Sequence, residues 1–397
     1  MKKAGIYIHF PFCKSRCDYC DFNTSAGMEK YFPAYRDALL KEISLSAACL
    51  PEPFGISSIY LGGGTPSYFP SQYLGEILQT LGDQFQISPE VEISMEANPA
   101  DVTQTAVQAW RRAGIIRVSL GMQSARQQEL KMLGRRHCYQ DVVDAVHILH
   151  DNGISNVNLD LMFGLPRQTL AVWQDSVGKA LELHPTHLSL YALTVEEGTP
   201  LAAAIRQGNL PAVDEDLAAD MYEWAMDFLE TWDFQQYEIS NWAKREDGHD
   251  HRCRHNLLYW RNSAYFGLGA AAHSHLPGWR WANPILITDY LPAMQAVGSQ
   301  ANPPFPFPWV GEYHELETTD EMGESAMMGL RLVEEGLRDE LFIEKFGESL
   351  FTVYEKQIAE VVHLGLLEVL EGQERAIRLT RRGRMLGNQV FLRFLLD

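Results

Sequence analysis

Long hydrophobic runs are missing from this 397-residue sequence. No stretch reaches the roughly 18 consecutive apolar residues of a membrane-spanning helix, so any contact with a membrane is expected to be peripheral. Lys2 and Lys3 lead directly into an apolar strand pattern, without the hydrophobic segment of a secretory signal peptide. These absences predict a cytoplasmic protein.

Positive charge is also scarce. The chain has 33 Lys and Arg residues against 52 Asp and Glu residues, a formal net charge of −19. Such a surplus of negative charge repels phosphate backbones, so we expect no nucleic-acid partner.

Cysteine is rare, but three of the six cysteines fall within eight residues, as Cys13, Cys17 and Cys20. Three thiols spaced C-x3-C-x2-C can bind three irons of an iron–sulfur cube and leave the fourth iron open to a small molecule. A structural zinc site usually needs four ligands, and no second C-x2-C pair is present. A disulfide would leave one thiol over in a chain expected to stay reduced. The spacing therefore favours a cluster.

Short strand patterns alternate with amphipathic helical patterns from residue 5 to about residue 240. Alternation of this kind predicts an α/β fold with a parallel sheet, and six units suit a partial barrel. The six predicted strands are Ile6–His9, Ser58–Leu61, Val91–Glu96, Arg117–Gly121, Asn156–Leu161 and His187–Leu190.

The predicted strands have one apolar face and one small or polar face. Ser94 and Glu96 alternate with apolar residues in the third strand, and Asn158 and Asp160 do so in the fifth. Because a packed barrel interior is normally filled with branched apolar side chains, a polar inner face predicts a ligand-holding cavity. A sheet with one solvated face is the alternative, but parallel sheets rarely show one.

The composition and the predicted secondary structure change twice in the remainder of the chain. Residues 241–315 are rich in Trp, His, Pro and Gly and are predicted to be irregular, with a linker at residues 303–308. Residues 316–397 show helical patterns and a possible hairpin through Leu367–Leu379, which suggests a winged-helix-like α-rich domain. The predicted domains are therefore 1–240, 241–315 and 316–397.

Several residues near predicted strand ends suit a bound ligand. Glycines after the second strand, Gly63 among them, allow backbone groups to approach a ligand closely. Glu96 and Asp160 could accept hydrogen bonds from an amino group or ribose hydroxyls, as acidic residues do in dinucleotide folds. By chemistry alone, Arg135 and Arg136 are equally able to hold a carboxylate.

These stretches resemble the radical S-adenosylmethionine superfamily, and within it the HemN and HemW families. The matching segments are Tyr7–Cys13, Gly62–Ser67, Glu96–Pro99, Gly121–Ser124 and Asn158–Pro166. The resemblance implies a radical SAM partial (β/α)6 barrel with a [4Fe–4S] cluster on Cys13, Cys17 and Cys20. It also implies S-adenosylmethionine contacts from Tyr7, Tyr19, Gly63, Gly64, Thr65, Glu96, Gln123, Arg135 and Asp160.

Three departures favour HemW over HemN. Phe22 replaces a fourth cysteine of the oxidase, and Tyr7 stands close to the first residue, without the oxidase's N-terminal extension. The run from His255 to Trp260 resembles the HNxxYW haem-binding motif, which implies haem contacts from His255, Asn256, Tyr259 and Trp260. His255 could be the axial ligand. His273, His275 and Cys253 are competing ligands.

The resemblance implies a haem chaperone that passes haem to an acceptor protein, with an electron donor for the cluster and without coproporphyrinogen oxidase activity. Two alternatives stay open. One is an oxygen-independent coproporphyrinogen III oxidase, and the other is a radical methyltransferase of the same branch acting on haem or another heterocycle.

Overall fold

A computed structural model describes residues 2–49, 53–246, 248–298, 307–372 and 374–395. The strands, in chain order, are β1 (Lys2–Phe10), β2 (Phe12–Cys13), β3 (Ser25–Ala26), β4 (Phe54–Gly63), β5 (Gln86–Ala97), β6 (Arg117–Gln123), β7 (Asn156–Phe163), β8 (His187–Ala192), β9 (Phe234–Glu238), β10 (Asn241–Glu246), β11 (His249–Asp250), β12 (Tyr265–Leu268), β13 (His273–Leu276), β14 (Trp279–Ala282), β15 (Glu312–Glu315), β16 (Leu337–Arg338), β17 (Leu367–Leu370) and β18 (Ala376–Leu379).

The helices are α1 (Phe32–Ala48), α2 (Ser71–Gln84), α3 (Gln104–Arg112), α4 (Gln127–Met132), α5 (Tyr139–Asp151), α6 (Leu170–Leu181), α7 (Pro200–Arg206), α8 (Glu215–Glu230), α9 (Arg254–Trp260), α10 (Ile287–Ala296), α11 (Thr318–Gly329), α12 (Asp339–Phe346), α13 (Leu350–Val353), α14 (Glu355–His363), α15 (Arg381–Met385) and α16 (Gly387–Phe391).

The six predicted strands are confirmed as β1, β4, β5, β6, β7 and β8, which pair side by side in parallel and in that order. Their apolar faces form one core with the surrounding helices. Ile6 and Ile8 of β1 are fully buried there, together with Leu39 and Ile43 of α1. Parallel strands joined by helices and covered on one face place the opposite, polar face inside a curved sheet.

The prediction of irregular structure for residues 241–315 is wrong. β12 pairs in parallel with β1, and β13 to β15 continue that edge in antiparallel order, while β9 to β11 extend the other edge beyond β8. Across the described residues, the sheet therefore has thirteen strands. These strands are short, and β12 depends on a partner about 260 residues earlier in the chain, so local composition gives little sign of them. The predicted linker falls largely outside the described residues.

Helix α9 lies against β1 and β4 near the ends where these parallel strands begin. Gly5 permits this approach, because a Cβ there would stand 3.0 Å from both Leu258 Cδ1 and Ser58 Oγ. The helix therefore closes one end of the space inside the sheet.

The C-terminal module has its own core, built around residues such as Leu350, Tyr354 and Ile377. The predicted hairpin is confirmed as β17 and β18, and β16 adds a short third strand to that sheet. The module's arginines contact protein groups: Arg381 pairs with Asp227 of α8, which supports a packing role.

Candidate functional site

The polar inner face of the sheet lines a cavity of about 630 Å³. This volume is in the range of small-molecule and cofactor pockets. The predicted cavity is therefore confirmed. All nine residues expected to contact S-adenosylmethionine line it: Tyr7, Tyr19, Gly63, Gly64, Thr65, Glu96, Gln123, Arg135 and Asp160.

Strand register arranges the inward side chains in layers. Tyr60 of β4, Ser94 of β5 and Arg117 of β6 are paired neighbours in one layer. Glu96 and Ser119 form the next layer, two residues further along their strands. At about 3.3 Å of rise per residue, successive layers are roughly 7 Å apart. The cavity therefore runs along the strands from α9 to the loops that follow the strands.

The three cysteines of the N-terminal loop line the mouth of the cavity, and each is half-buried. Cys13 Sγ lies 3.4 Å from Thr65 Oγ1, and Arg135 Nη1 donates to Cys17 Sγ at 3.4 Å. Burial raises the pKa of the Cys13 and Cys20 thiols. A cationic guanidinium beside the thiols would favour their deprotonated, metal-binding form.

The arrangement of the thiols fits a cluster better than a single zinc ion. Within the described ranges, no three His, Cys, Asp or Glu side chains gather around one point as a mononuclear metal site requires. In an iron–sulfur cube each thiolate binds a different iron, so its ligands need not converge on one point. Cys13, Cys17 and Cys20 around one cavity mouth meet that requirement.

Glycine is required at two positions beside the cluster loop. Gly63 has a φ of 107°, and a Cβ there would lie 2.5 Å from His9 Cε1. A Cβ on Gly64 would lie 2.7 Å from the carbonyl oxygen of Phe10. The backbone can therefore turn close to the cavity only without side chains at these positions.

Glu96 is held by two donors, Gly63 N to Oε2 at 3.1 Å and Tyr60 Oη to Oε1 at 3.0 Å. Burial, together with the nearby negative charge of Asp160, raises the pKa of Glu96 to about 7. Burial also raises the pKa of Asp160, whose carboxylate accepts hydrogen bonds from Ser119 Oγ at 3.0 Å and Asn158 Nδ2 at 2.7 Å. A cationic ligand would stabilise the charged form of both carboxylates.

The backbone is strained at Gln123, a residue that lines the cavity. It has a positive φ of 63°, and the β6–β7 register shifts between Leu120 and Gln123. Its Oε1 is buried and has no hydrogen-bond partner in the described part of the chain. Bulges and positive φ values in residues other than glycine are concentrated at functional sites, because there the surrounding structure holds the strain.

Arg135 and Arg136 have different partners in the structure. Arg135 donates to Gly121 O at 2.7 Å and to Cys17 Sγ, while its Nε lacks a partner among the described residues. Arg136 instead pairs with Asp101. Arg135 is therefore the arginine with donor capacity left for a ligand carboxylate.

The residues of the haem-like motif lie at the closed end of the cavity. His255, Asn256 and Tyr259 line it, whereas Trp260 does not. The Trp260 ring instead lies under the guanidinium of Arg331, 4.4 Å away, on the side of the C-terminal module. A helix with 3.6 residues per turn places residues 255 and 259 on one face and residue 260 on another.

His255 is 1% exposed, and its Nδ1 lies 2.9 Å from Ser58 Oγ. Burial lowers its pKa to about 3, so the imidazole is neutral near pH 7. Its Nε2 has no hydrogen-bond partner in the described ranges. A neutral imidazole with one nitrogen held and the other free has the properties of a metal ligand.

The competing ligands lie elsewhere. His275 is fully buried and 3.6 Å from Glu321, and the Cys253 thiol donates to Glu92 at 3.7 Å. His273 is exposed on β13. None of the three lines the cavity as described.

Arg117 is a cavity residue that sequence reasoning missed. It follows the same alternation as Ser119 and Gly121, so the signal for an inward side chain was present. Its position at the start of the strand obscured that signal.

Comparisons with known proteins extend over the whole chain. A model described as the Radical SAM superfamily matches residues 7–179, and one described as the HemN C-terminal domain matches residues 316–386. The heme chaperone HemW of Bacillus subtilis (strain 168) is 34% identical over 396 residues, covering 100% of this chain and 99% of that protein. The chain belongs to the HemW family.

A second HemW relative, from Lactococcus lactis subsp. lactis (strain IL1403), is 33% identical over 399 residues and covers 100% of the chain and 98% of its own length. Among solved structures, the Escherichia coli coproporphyrinogen III oxidase HemN, described as a radical SAM enzyme, matches with a TM-score of 0.80. It is 22% identical and covers 99% of this chain and 90% of its own. This likeness confirms the predicted barrel and C-terminal domain.

Within the described residues, no helix is both long and apolar enough to cross a membrane.

Proposed function

We propose that this HemW-family protein is a haem chaperone, which binds a [4Fe–4S] cluster, S-adenosylmethionine and haem and passes the haem to an acceptor protein. The observation that carries the proposal is a single cavity with the cysteine loop at its mouth and three residues of the haem-like motif at its closed end. Similarity to heme chaperone HemW proteins along the full chain supports the same function.

Cys13, Cys17 and Cys20 would hold the cluster at the mouth. When bound, the cluster would supply a coordination site for S-adenosylmethionine and an electron that could break a sulfur–carbon bond. Arg135 would hold the ligand's carboxylate, because its guanidinium faces the cavity and retains a free donor.

The remaining polar residues of the cavity would hold the rest of the nucleoside. Glu96 and Asp160 would accept hydrogen bonds from the amino group and ribose hydroxyls. The glycine backbone at residues 63–64 would allow close approach, and the strained Gln123 amide would orient the ligand. Tyr7 and Tyr19 would add apolar walls.

His255 would bind the haem iron through Nε2. In the tautomer that this role needs, Nδ1–H donates to Ser58 Oγ, and the Nε2 lone pair faces the cavity. The Tyr259 ring packs edge-on against His255, with centroids 4.7 Å apart, and would restrict its rotation. Asn256 lines the same end, and Trp260 would support the helix from behind.

The six cysteines are all unpaired, which supports a reducing compartment such as the cytoplasm. The function requires an electron donor and a haem-accepting protein. The net charge of −19 argues against nucleic acid as a partner, and any membrane contact would be made peripherally, through a partner.

Titration of the anaerobically reconstituted, full-length protein with hemin tests the proposal. We expect a Soret band that saturates at one haem per chain. His255→Ala should bind hemin at least tenfold more weakly, since it lacks the imidazole that would bind the iron.

His363→Ala is the matched control, because His363 is an exposed histidine of the C-terminal module. It should titrate like the unaltered protein. Equal titrations for all three proteins would remove His255 as the ligand, and no saturable binding in any of them would remove the chaperone function.

A further inference from the structure

Arg117 is a buried cation at the closed end of the cavity, with hydrogen-bonding capacity that the protein leaves unused. Its side chain is 2% exposed and lines the cavity. Its Nε has no hydrogen-bond partner in the described part of the chain. Buried polar groups are normally satisfied, and a buried charge without hydrogen bonds is costly. An arginine in this state needs a partner that the protein does not supply.

Glu92 is the carboxylate with the largest electrostatic effect on Arg117, and its Oε1 is already engaged. It accepts hydrogen bonds from Ser94 Oγ at 3.2 Å and from Arg254 N at 3.0 Å, and the Cys253 thiol lies 3.7 Å away. Glu92 therefore offsets the charge of Arg117 without filling its donor positions.

The surroundings of Arg117 form a small polar compartment. The Tyr60 side chain lies in the same layer, and the His255 ring stacks on it with centroids 5.3 Å apart. His255 Nε2 is a second buried nitrogen without a partner among the described residues. Asn158 cannot serve as the acceptor either, because its Oδ1 already accepts from Ser189 Oγ at 3.1 Å and lies 2.6 Å from His187 Nδ1.

This compartment is distinct from the mouth of the cavity. Arg135 reaches Gly121, which is four residues beyond Arg117 along β6, or about 13 Å along the strand. Arg117 and Arg135 therefore lie toward opposite ends of the cavity. A guanidinium presents a planar fork of donors that matches a carboxylate in a bidentate way.

We propose that the closed end of the cavity is a carboxylate-binding subsite, in which Arg117 receives a carboxylate of a bound ligand. Two ligands of the proposed function carry this group: haem has two propionates, and S-adenosylmethionine has an amino-acid carboxylate. Haem is the source consistent with the role proposed for Arg135, which would hold the S-adenosylmethionine carboxylate at the mouth. Weakened binding of S-adenosylmethionine would instead move that carboxylate to the closed end. The inference rests on the proposed function only for the identity of that ligand.

The test compares each ligand with its analogue lacking the free carboxylate. Arg117→Met, Arg117→Lys and the unaltered protein are titrated anaerobically with hemin and hemin dimethyl ester, and with S-adenosylmethionine and decarboxylated S-adenosylmethionine. Because a charge-assisted hydrogen bond is lost, Arg117→Met should weaken one carboxylate ligand roughly tenfold to hundredfold and leave its analogue unchanged. The affinity of Arg117→Lys for that ligand should lie between those of the unaltered protein and Arg117→Met. Lysine keeps the positive charge but lacks the planar set of donors of a guanidinium. The ligand whose binding is weakened relative to its analogue is the one that supplies the carboxylate.

Arg112→Met is the control for loss of one positive charge, because Arg112 is exposed on α3, outside the cavity. Unchanged affinity for both carboxylate ligands in Arg117→Met would overturn the subsite. Equal weakening of a ligand and its analogue would also overturn it, because that result marks Arg117 as a support for the fold. If the Met variant does not fold, Arg117→Lys is judged by the same comparison. Failure of the unaltered protein to bind hemin would contradict the proposed function, while the S-adenosylmethionine pair would still test Arg117.

Discussion

Replacing Glu96 by glutamine should stabilise the protein while weakening its ligand site. The pKa of Glu96 is raised from 4.5 to about 7, first by burial and then by Asp160. An acid whose pKa is raised by folding favours the protonated state, so its contribution to stability is complete below about pH 4.5 and is lost as the pH rises through about 7. At pH 8 the charged Glu96 therefore costs the unliganded fold up to about 3 kcal/mol.

Glutamine mimics the protonated acid but changes one hydrogen bond. Its carbonyl can still accept from Gly63 N, while its amide group must donate to Tyr60 Oη, which now donates to the carboxylate. Losing that charged acceptor costs about 1 kcal/mol. The net gain in the free energy of unfolding expected for Glu96→Gln at pH 8 is therefore about 1–2 kcal/mol.

The assay is urea unfolding of the unaltered chain and Glu96→Gln, both without cluster, from pH 4.5 to pH 8.5. The difference in stability should be smallest at the acid end, grow up to about pH 7 and then stay level. The same variant should bind S-adenosylmethionine at least tenfold more weakly at pH 8, since it lacks the negative charge expected to face the ligand. A stability difference independent of pH, or a less stable variant at pH 8, would refute the reasoning.

Three further sets of substitutions test the cluster ligands, the carboxylate-binding arginine and the glycine turn separately. Cys17→Ala should abolish assembly of the cluster, measured by iron content and visible absorption, and a full complement of iron would contradict the ligand set. Arg135→Met should weaken S-adenosylmethionine binding at least tenfold in calorimetry with the cluster intact, whereas Arg136→Met should change it little because Arg136 pairs with Asp101. Gly63→Ala should lower the unfolding free energy by about 1–3 kcal/mol through its positive φ and the contact with His9, and an unchanged urea midpoint would count against that strain.

Much of the barrel and of the site at its mouth could be predicted from local patterns. The alternation in β5 and β7 correctly placed Glu96 and Asp160 on the inner face, because the period of a strand fixes which side chains share a face. The same rule applies to Arg117. It was missed only because Arg117 stands at the first position of its strand.

The closed end could not be predicted in the same way. The position of His255 depends on α9 packing over Gly5, a contact between parts of the chain about 250 residues apart. Trp260 was grouped with His255 by the motif, but the helical period turns it toward the C-terminal module. The strands between residues 241 and 315 were missed for a related reason, since they form on the edges provided by β1 and β8.

Choice between Arg135 and Arg136 likewise needed the structure. Both are arginines in the same short segment, and only the position of Asp101 decides which one is engaged. Resemblance to a family favoured Arg135, and the ion pair of Arg136 supplies a physical reason for the same preference.

The central claim is that the cavity serves to carry haem and not to oxidise coproporphyrinogen. One anaerobic preparation with reduced cluster and S-adenosylmethionine should be divided between hemin titration and incubation with coproporphyrinogen III. The account predicts one haem bound per chain, released to an apo-haem protein of higher affinity, and no protoporphyrinogen formed. Multiple turnovers of coproporphyrinogen III, with hemin neither bound nor released, would contradict it.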